Sequence, residues 1–235
     1  LNEVGCKRVV FSSSASLYDT VPGFMVTEDS PLRPNCPYAR TKYMMEMVLK
    51  DFCYAYGMKG IALRYFNPIG ADPRLRSGIH VPNPSLVLAR MVEAEIGKVP
   101  HFDITGTTWP TRDGTGIRDY VHVWDLANAH VLALTDFDTA FERAGEAGAS
   151  NYLVINLGSG NGVTVRELVT AFERVVGHPI NKREMPPRPG DVAGAYANAD
   201  AAARLLGWKP QLSIEDAVRD ALAWAEKRPA ILGYK

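Results

Sequence analysis

Arg8-Val9-Val10-Phe11-Ser12-Ser13-Ser14-Ala15-Ser16-Leu17-Tyr18 decides the fold class of this chain. A short apolar run with β-branched residues reads as a strand of the buried type, as found in parallel sheets. It passes straight into a cluster of hydroxyls. Open α/β sheets meet their ligands at the carboxyl ends of their strands, so the serines stand where a ligand would bind. A plain polar turn is the competing reading. The stretch predicts an α/β protein.

Working outward, Pro22 to Pro37 is a proline-rich surface loop, and a helix runs from Tyr38 to about Tyr56 with Gly57 as its stop. Met45, Val48, Leu49, Phe52 and Tyr56 form an apolar stripe on it, read as core or as a subunit contact. Tyr38 and Lys42 are four residues apart and share one face. An ordinary phenol is only about 0.1 % ionised at neutral pH, and a nearby ammonium favours the phenolate. Such a pair can move a proton on and off a substrate hydroxyl. The same spacing also arises with a packed tyrosine and a solvated lysine.

Composition narrows the partners. In 235 residues, 46 % are apolar, which supports a sizeable core in one large domain or two small ones. Lys plus Arg equals Asp plus Glu at 26 each, so charge makes no case for nucleic acid or an anionic membrane. No apolar run approaches the ~20 residues of a membrane span, and no signal peptide is recognised. Cys6, Cys36 and Cys53 lack metal-ligand spacing and read as reduced thiols of a cytoplasmic protein; no metal site is expected. The opening Leu1-Asn2-Glu3, so soon followed by a strand, reads as a start in mid-domain.

Further along, Lys59 to Phe66 is a strand that ends in Asn67-Pro68, again with polar groups at the strand end. Arg74 to Pro84 is irregular, and Leu86 to Gly97 is helical. From Gly106 to Gly116 glycine and proline forbid regular structure, and alternation begins at Ile117. Arg118 either binds an anion bidentately or pairs with Asp119, the pair being the more economical reading. Asp125 is expected to cap a helix to about Leu134, and Phe137 to Ser150 to be a polar connection. After the strand Tyr152–Leu157 comes Gly158-Ser159-Gly160-Asn161-Gly162, then a helix with the capping box Thr164…Glu167. Val163 stands where a dinucleotide fingerprint needs Gly or Ala, so a tight structural turn is the preferred reading. Asn181 to Met185 is extended. Arg188 and Asp191, in a stiff proline loop, suit either a phosphate with a sugar diol or an internal salt bridge. A short helix covers Ala199 to Leu206, and Ser213…Asp216 caps a last one to about Lys227.

Together the motifs are more specific than any one of them. Ser12-Ser13-Ser14-Ala15-Ser16-Leu17-Tyr18, Tyr38-x-x-x-Lys42 and Leu63-Arg64-Tyr65-Phe66-Asn67-Pro68-Ile69-Gly70 resemble the extended short-chain dehydrogenase/reductases. Trp109-Pro110-Thr111-Arg112-Asp113-Gly114-Thr115-Gly116-Ile117-Arg118-Asp119-Tyr120-Val121-His122-Val123 narrows the resemblance to UDP-glucose (UDP-galactose) 4-epimerases, and Arg188-Pro189-Gly190-Asp191-Val192 agrees. The resemblance implies a Rossmann-like doubly wound sheet with a smaller α/β substrate lobe. Residues 1–70 would end the NAD-binding domain and 71–235 would form mainly the UDP-sugar lobe, with 117–137 and 152–158 returning to the first. It also implies a preceding segment bearing the Gly-rich NAD turn, so that these residues alone would be inactive.

By that resemblance Tyr38 is the base for the sugar 4-hydroxyl, Lys42 holds the nicotinamide ribose and favours the phenolate, and Ser14 hydrogen-bonds the reacting oxygen. Ser12 and Tyr65 would lie by the cofactor NAD. Asn67, Asn83, Arg118, Arg188 and Asp191 would hold the UDP-hexose, the two arginines on the diphosphate and Asp191 on the uridine ribose. A homodimer through the Tyr38–Tyr56 helix is implied as well. Three departures stand out: Asp19 follows Tyr18 in place of a glycine, Val81-Pro82-Asn83-Pro84-Ser85-Leu86 alters the uracil-side loop, and Ala195 occupies the position that sets sugar-pocket size. A small residue there leaves room for an N-acetyl group, so UDP-GlcNAc and UDP-GalNAc are expected as further substrates. A uronate or pentose epimerase is the nearest alternative. A 4,6-dehydratase is disfavoured, because Ala15-Ser16 stand where it would need an acidic pair.

Overall fold

The computed structural model describes residues 1–145 and 150–233. Strand β1 (Arg8–Ser12) leads through a 3-10 turn at Ala15–Leu17 to the short β2 (Met25–Val26). Helix α1 (Pro37–Tyr56) starts on Cys36, whose sulfur accepts the Ala39 N–H at 3.4 Å. Pro37 sits in its first turn, where no backbone donor is needed, and Gly57 ends it in the left-handed region at φ +61°. Next come β3 (Lys59–Tyr65), β4 (Asn67–Ile69), α2 (Val87–Glu95), β5 (Phe102–Thr105), β6 (Ile117–Arg118) and β7 (Tyr120–His122). Two helices, α3 (Val123–Thr135) and α4 (Phe137–Gly145), precede β8 (Tyr152–Leu157) and β9 (Val163–Thr164). The chain closes with α5 (Val165–Val176), β10 (Lys182–Met185), β11 (Gly194–Ala197), α6 (Asp200–Leu206) and α7 (Ile214–Leu232).

The main sheet has the order β1-β3-β8 and is parallel throughout, so the ends of β1 and β3 lie side by side. A second sheet, β2-β11-β6-β9, is parallel except for β9, and β4-β7 and β5-β10 are parallel pairs. Ile61, Leu63, Ile155 and Leu157 of the main sheet pack under α3, α4 and α6 through Leu126, Phe137, Phe141 and Leu205. A second cluster joins α2, α5 and α7 through Met91, Leu168, Phe172 and Val218. A fully buried residue such as Phe172 contributes about 1.5–3 kcal/mol by leaving water.

Several expectations are corrected. Most of the apolar stripe of α1 is not core in this chain: Met45, Val48, Phe52 and Tyr56 are exposed and Leu49 is half-buried against Gly60, while Ala39, Glu46 and Cys53 face the sheet. Asp125 is not the cap of α3. His122 Nδ1 accepts the Trp124 N–H at 3.0 Å, and Asp125, in the first turn, accepts the N–H groups of Gln211 and Leu212 at 2.9 Å. The connection expected from Phe137 to Ser150 contains α4, which buries Phe137 and Phe141; residues 146–149 of it lie outside the described residues. Helix α7 runs beyond Lys227 and through Pro229 to Gly233, its Trp224 and Arg228 side chains both donating to the Ile79 carbonyl. Asp19 needs no glycine conformation, since the described non-glycine residues with positive φ are Phe24 and Leu75.

Candidate active site

The parallel register brings the ends of β1 and β3 and the first turns of α1 together. Lys42 Nζ donates to the Ser12 carbonyl at 2.8 Å and stands 5.7 Å from the centre of the Tyr38 ring and 5.2 Å from that of Phe11. Ser12 Oγ lies 3.1 Å from His130 Nε2, and His130 Nδ1 lies 2.8 Å from the Leu126 carbonyl. A carbonyl only accepts, so Nδ1 carries the proton and Nε2 of a neutral ring accepts from Ser12. The Tyr65 ring is 6.0 Å from His130, and its hydroxyl bonds Ser12. Burial, then the nearby Tyr38 phenol, pushes the Tyr65 pKa up. Ser14 is buried and caps the turn at Ala15–Leu17, accepting the Ser16 N–H at 3.1 Å. Tyr38 itself is half exposed.

Beneath this group lies a buried ion pair. Arg64 of β3 donates from Nε to Glu46 Oε1 at 3.0 Å and from Nη2 to Oε2 at 2.7 Å, and Ser13 Oγ also bonds Oε1. Arg64 Nη1 reaches the Tyr18 hydroxyl at 3.1 Å, and Tyr18 in turn donates to Asn156 Oδ1 at 2.6 Å. Burial pushes the Tyr18 pKa up to about 12, against the opposing charge of Arg64. Sequence reasoning passed over Glu46, Arg64 and His130. The available signal was Arg64 itself, a charge in the middle of a buried strand, which demands a partner.

A second group surrounds β6 and β11. Arg118 and Asp119 do not pair, which corrects the preferred reading. Arg118 donates to the carbonyls of Ile117, Ala193 and Val192 at 2.7, 2.8 and 3.0 Å. Asp119 instead accepts the Ser159 N–H and hydroxyl at 2.7 Å, the Gly160 N–H at 3.1 Å and the Ala197 N–H at 3.0 Å. Asp119 lies in the break between β6 and β7, and there its side chain turns to the backbone N–H groups of Ser159, Gly160 and Ala197, away from Arg118. Burial lowers the Arg118 pKa against the charges of Tyr120 and Asp191, with Arg188 adding to the fall; burial likewise raises that of Asp119. Gly158 to Gly162 is the structural turn expected: a Cβ on Gly158 would collide with the Asp119 carboxylate.

Arg188 and Asp191 form the internal bridge, Asp191 Oδ2 accepting the Arg188 N–H at 2.8 Å and Nε at 3.4 Å. Ala195 is the register partner of Arg118. Asn67 pairs with Tyr120 across β4 and β7 and lines a cavity of about 760 Å³ with Leu86, Trp124 and Gly70. Asn83 is exposed on the neighbouring loop and is not among the cavity's lining residues. Thus Ser12, Tyr38, Lys42 and Tyr65 meet at one strand end, Arg118, Arg188, Asp191 and Ala195 gather at the other site, and Asn83 stands apart.

Three parallel strands with helices packed on them, and a Tyr-x-x-x-Lys helix at the strand ends, define a nucleotide-binding type of α/β chain. The sequence comparison is specific: residues 1–148 match the NAD dependent epimerase/dehydratase family, and the chain belongs to it. It is similar to UDP-glucose 4-epimerase of Bacillus subtilis (strain 168), 39 % identical over 238 residues covering 100 % of this chain and 67 % of the relative. The solved UDP-glucose 4-epimerase from Bifidobacterium longum, in complex with NAD+ and UDP, superposes with a TM-score of 0.86 at 35 % identity, over 97 % of this chain and 66 % of that one. The UDP-Glc/GlcNAc 4-epimerase from Campylobacter jejuni gives 0.74 at 33 % identity, over 96 % and 66 %. The chain spans 60–67 % of the length of the first curated relatives it matches.

Proposed function

We propose that the protein carries out NAD-dependent 4-epimerisation of UDP-hexoses, interconverting UDP-glucose and UDP-galactose through a transient 4-keto sugar. The observation that carries this reading is the Lys42 ammonium, held between the Ser12 carbonyl and the Tyr38 ring at the carboxyl end of β1. The donor set fits the cofactor. An ammonium has three donors and one of them is committed to Ser12, which leaves donors for a ribose diol beside the Ser12 and Tyr65 hydroxyls. NAD, when bound, supplies a hydride acceptor that gives the hydride back.

The protein's own residues do the rest. Tyr38 takes the proton of the sugar 4-hydroxyl and returns it, and Ser14 hydrogen-bonds the same oxygen. Lys42, 5.7 Å from the centre of the Tyr38 ring, places a positive charge beside the phenol. Arg118 has no ion-pair partner among the described residues and lies near the Arg188–Asp191 bridge, so the cluster keeps a net positive charge suited to a diphosphate. Asp191 is assigned to the uridine ribose, Asn67 and Asn83 to the remaining nucleotide-sugar contacts. Residues 1–70, with 117–137 and 152–158, are assigned to the cofactor domain and most of the remainder to the sugar nucleotide.

Ala195, small and beside Arg118, leaves room for an N-acetyl group, and we extend the substrates to UDP-GlcNAc and UDP-GalNAc. The relative from Campylobacter jejuni, named for UDP-Glc and GlcNAc, supports that extension. The exposed apolar face of α1 supports a homodimer through that helix, and the three free cysteines suit the cytoplasm. No helix among the described residues is long and apolar enough to cross a membrane.

The test is turnover of UDP-galactose by the full-length protein with NAD. Tyr38→Phe is expected to lower kcat by about 10²–10⁴; an unchanged rate overturns the assignment. Ala195→Tyr should abolish turnover of the N-acetylated sugars and spare UDP-galactose, and equal loss of both would end the pocket-size reading.

A further inference from the structure

Lys42 and Glu46 are four residues apart on α1, the spacing at which a lysine and a glutamate on one helix face attract each other. A Lys42–Glu46 pair would draw the ammonium away from Tyr38 and cancel its charge. In the structure the pair is pre-empted. Both Glu46 oxygens are taken by the Arg64 fork, Oε1 also by Ser13, and both side chains are only 5 % exposed. Arg64 is itself fixed by the Tyr18 hydroxyl at 3.1 Å and the Glu28 carbonyl at 3.4 Å. Lys42 is left to the Ser12 carbonyl and the Tyr38 ring.

The groups facing this region come from every neighbouring element. Tyr65 and Arg64 come from β3, His130 from α3 and Tyr152, beside Glu46, from β8; Tyr18 and Glu28 come from the segment between β1 and α1. Of the two carboxylates, Glu28 accepts the Asn156 N–H at 2.8 Å. Glu46 is the one on the helix face of Lys42.

We infer that Arg64 is a positioning residue whose task is to sequester Glu46, so that the Lys42 ammonium stays on Tyr38. The inference rests on the proton-transfer role proposed for Tyr38. A purely structural pair would lose stability with one charge removed and regain it with both removed, yet leave the Tyr38 phenolate signal unmoved; a sequestering residue moves that signal as well. Once Arg64 is gone Glu46 becomes harmful, and neutralising Glu46 as well should repair the site.

The experiment compares Arg64→Met with the double variant Glu46→Gln/Arg64→Met in the full-length protein. Two readouts are taken: the pH profile of kcat, and the near-ultraviolet phenolate absorbance that Tyr38→Phe removes in each background. Arg64→Met should move both to higher pH, by about one unit or a tenfold loss of phenolate on the acid side. The double variant should return both toward the parent. A folded Arg64→Met protein with unmoved profiles, or a shift that Glu46→Gln does not reverse, overturns the inference. If Arg64→Met does not fold, Arg64→Lys, which cannot reproduce the two-point grip, should give a smaller shift in the same direction that Glu46→Gln again reverses; no shift there overturns it equally. The phenolate signal reports on Tyr38 whether or not a sugar turns over, so failure of the epimerase reading shows separately, as silence in the activity assay alone.

Discussion

Arg64 and Arg118 are both largely buried arginines, and the protein holds them in opposite ways. Burial acts against the charge of each. For Arg64 the hydrogen bonds and charge of Glu46, with help from Tyr18, more than reverse that effect and raise its pKa. Arg118 receives only carbonyl dipoles at close range, and burial prevails. The difference separates an arginine saturated by a carboxylate from one whose charge is unmatched at close range. A guanidinium matched to a carboxylate has little left for a ligand, whereas one held by carbonyls is fixed in place and still attracts an anion.

The comparison can be broken at its strong end first. Arg64→Met leaves Glu46 buried without its partner and is expected to cost about 3–5 kcal/mol in urea unfolding, the usual loss when one member of a buried pair is removed. A loss below about 1 kcal/mol would place the pair in the surface class and undo the contrast. Arg118→Met should act on the ligand more than on the fold. UDP binding by calorimetry is expected to weaken by about tenfold or more, the worth of charge-assisted hydrogen bonds, and Arg118→Lys should not restore it. Unchanged UDP affinity would mean that the carbonyls consume the charge after all.

The smallest effect belongs to the exposed counterpart, Arg219 with Asp216. Hydrogen bonds from the Ser213 side chain and backbone, and then from Arg219, hold the Asp216 pKa down at about 2. A depressed carboxylate stabilises the fold above its unfolded pKa of about 3.9 and loses that contribution as pH falls toward 2. Because the pair is partly solvated the contribution is under about 1 kcal/mol. Asp216→Asn should therefore flatten the acid limb of a Tm-against-pH curve slightly, with no change near neutrality beyond the lost cap bond.

Much of the fold was legible because its signals are local. The helix of Tyr38, its glycine stop and the boxes at Thr164–Glu167 and Ser213–Asp216 are each written within a few residues, and they stand where the spacing put them. The placement of the candidate residues was legible to the extent that it is local too: Tyr38 and Lys42 share a helix face, and Ser12 ends its strand. The missed element, α4, fills a slot over α3 and α6 with Phe137 and Phe141; its signal was Phe137, Ala140, Phe141 and Ala144 at helical spacing, short enough to be passed over among polar residues. Likewise the stripe of α1 was apolar as expected, but which side of the helix meets the sheet was set by Ala39, Glu46 and Cys53.

What the sequence by itself determined was the α/β order of elements, their caps and the spacing of Tyr38 and Lys42, since these depend on backbone geometry over one or two turns. Only the tertiary structure decided the partners of the charges. Arg118 and Asp119 are adjacent and yet take different partners, while Glu46 and Arg64, 18 residues apart, meet because a helix packs on a sheet. A buried charge takes the nearest partner in space, and distance along the chain does not enter that energy.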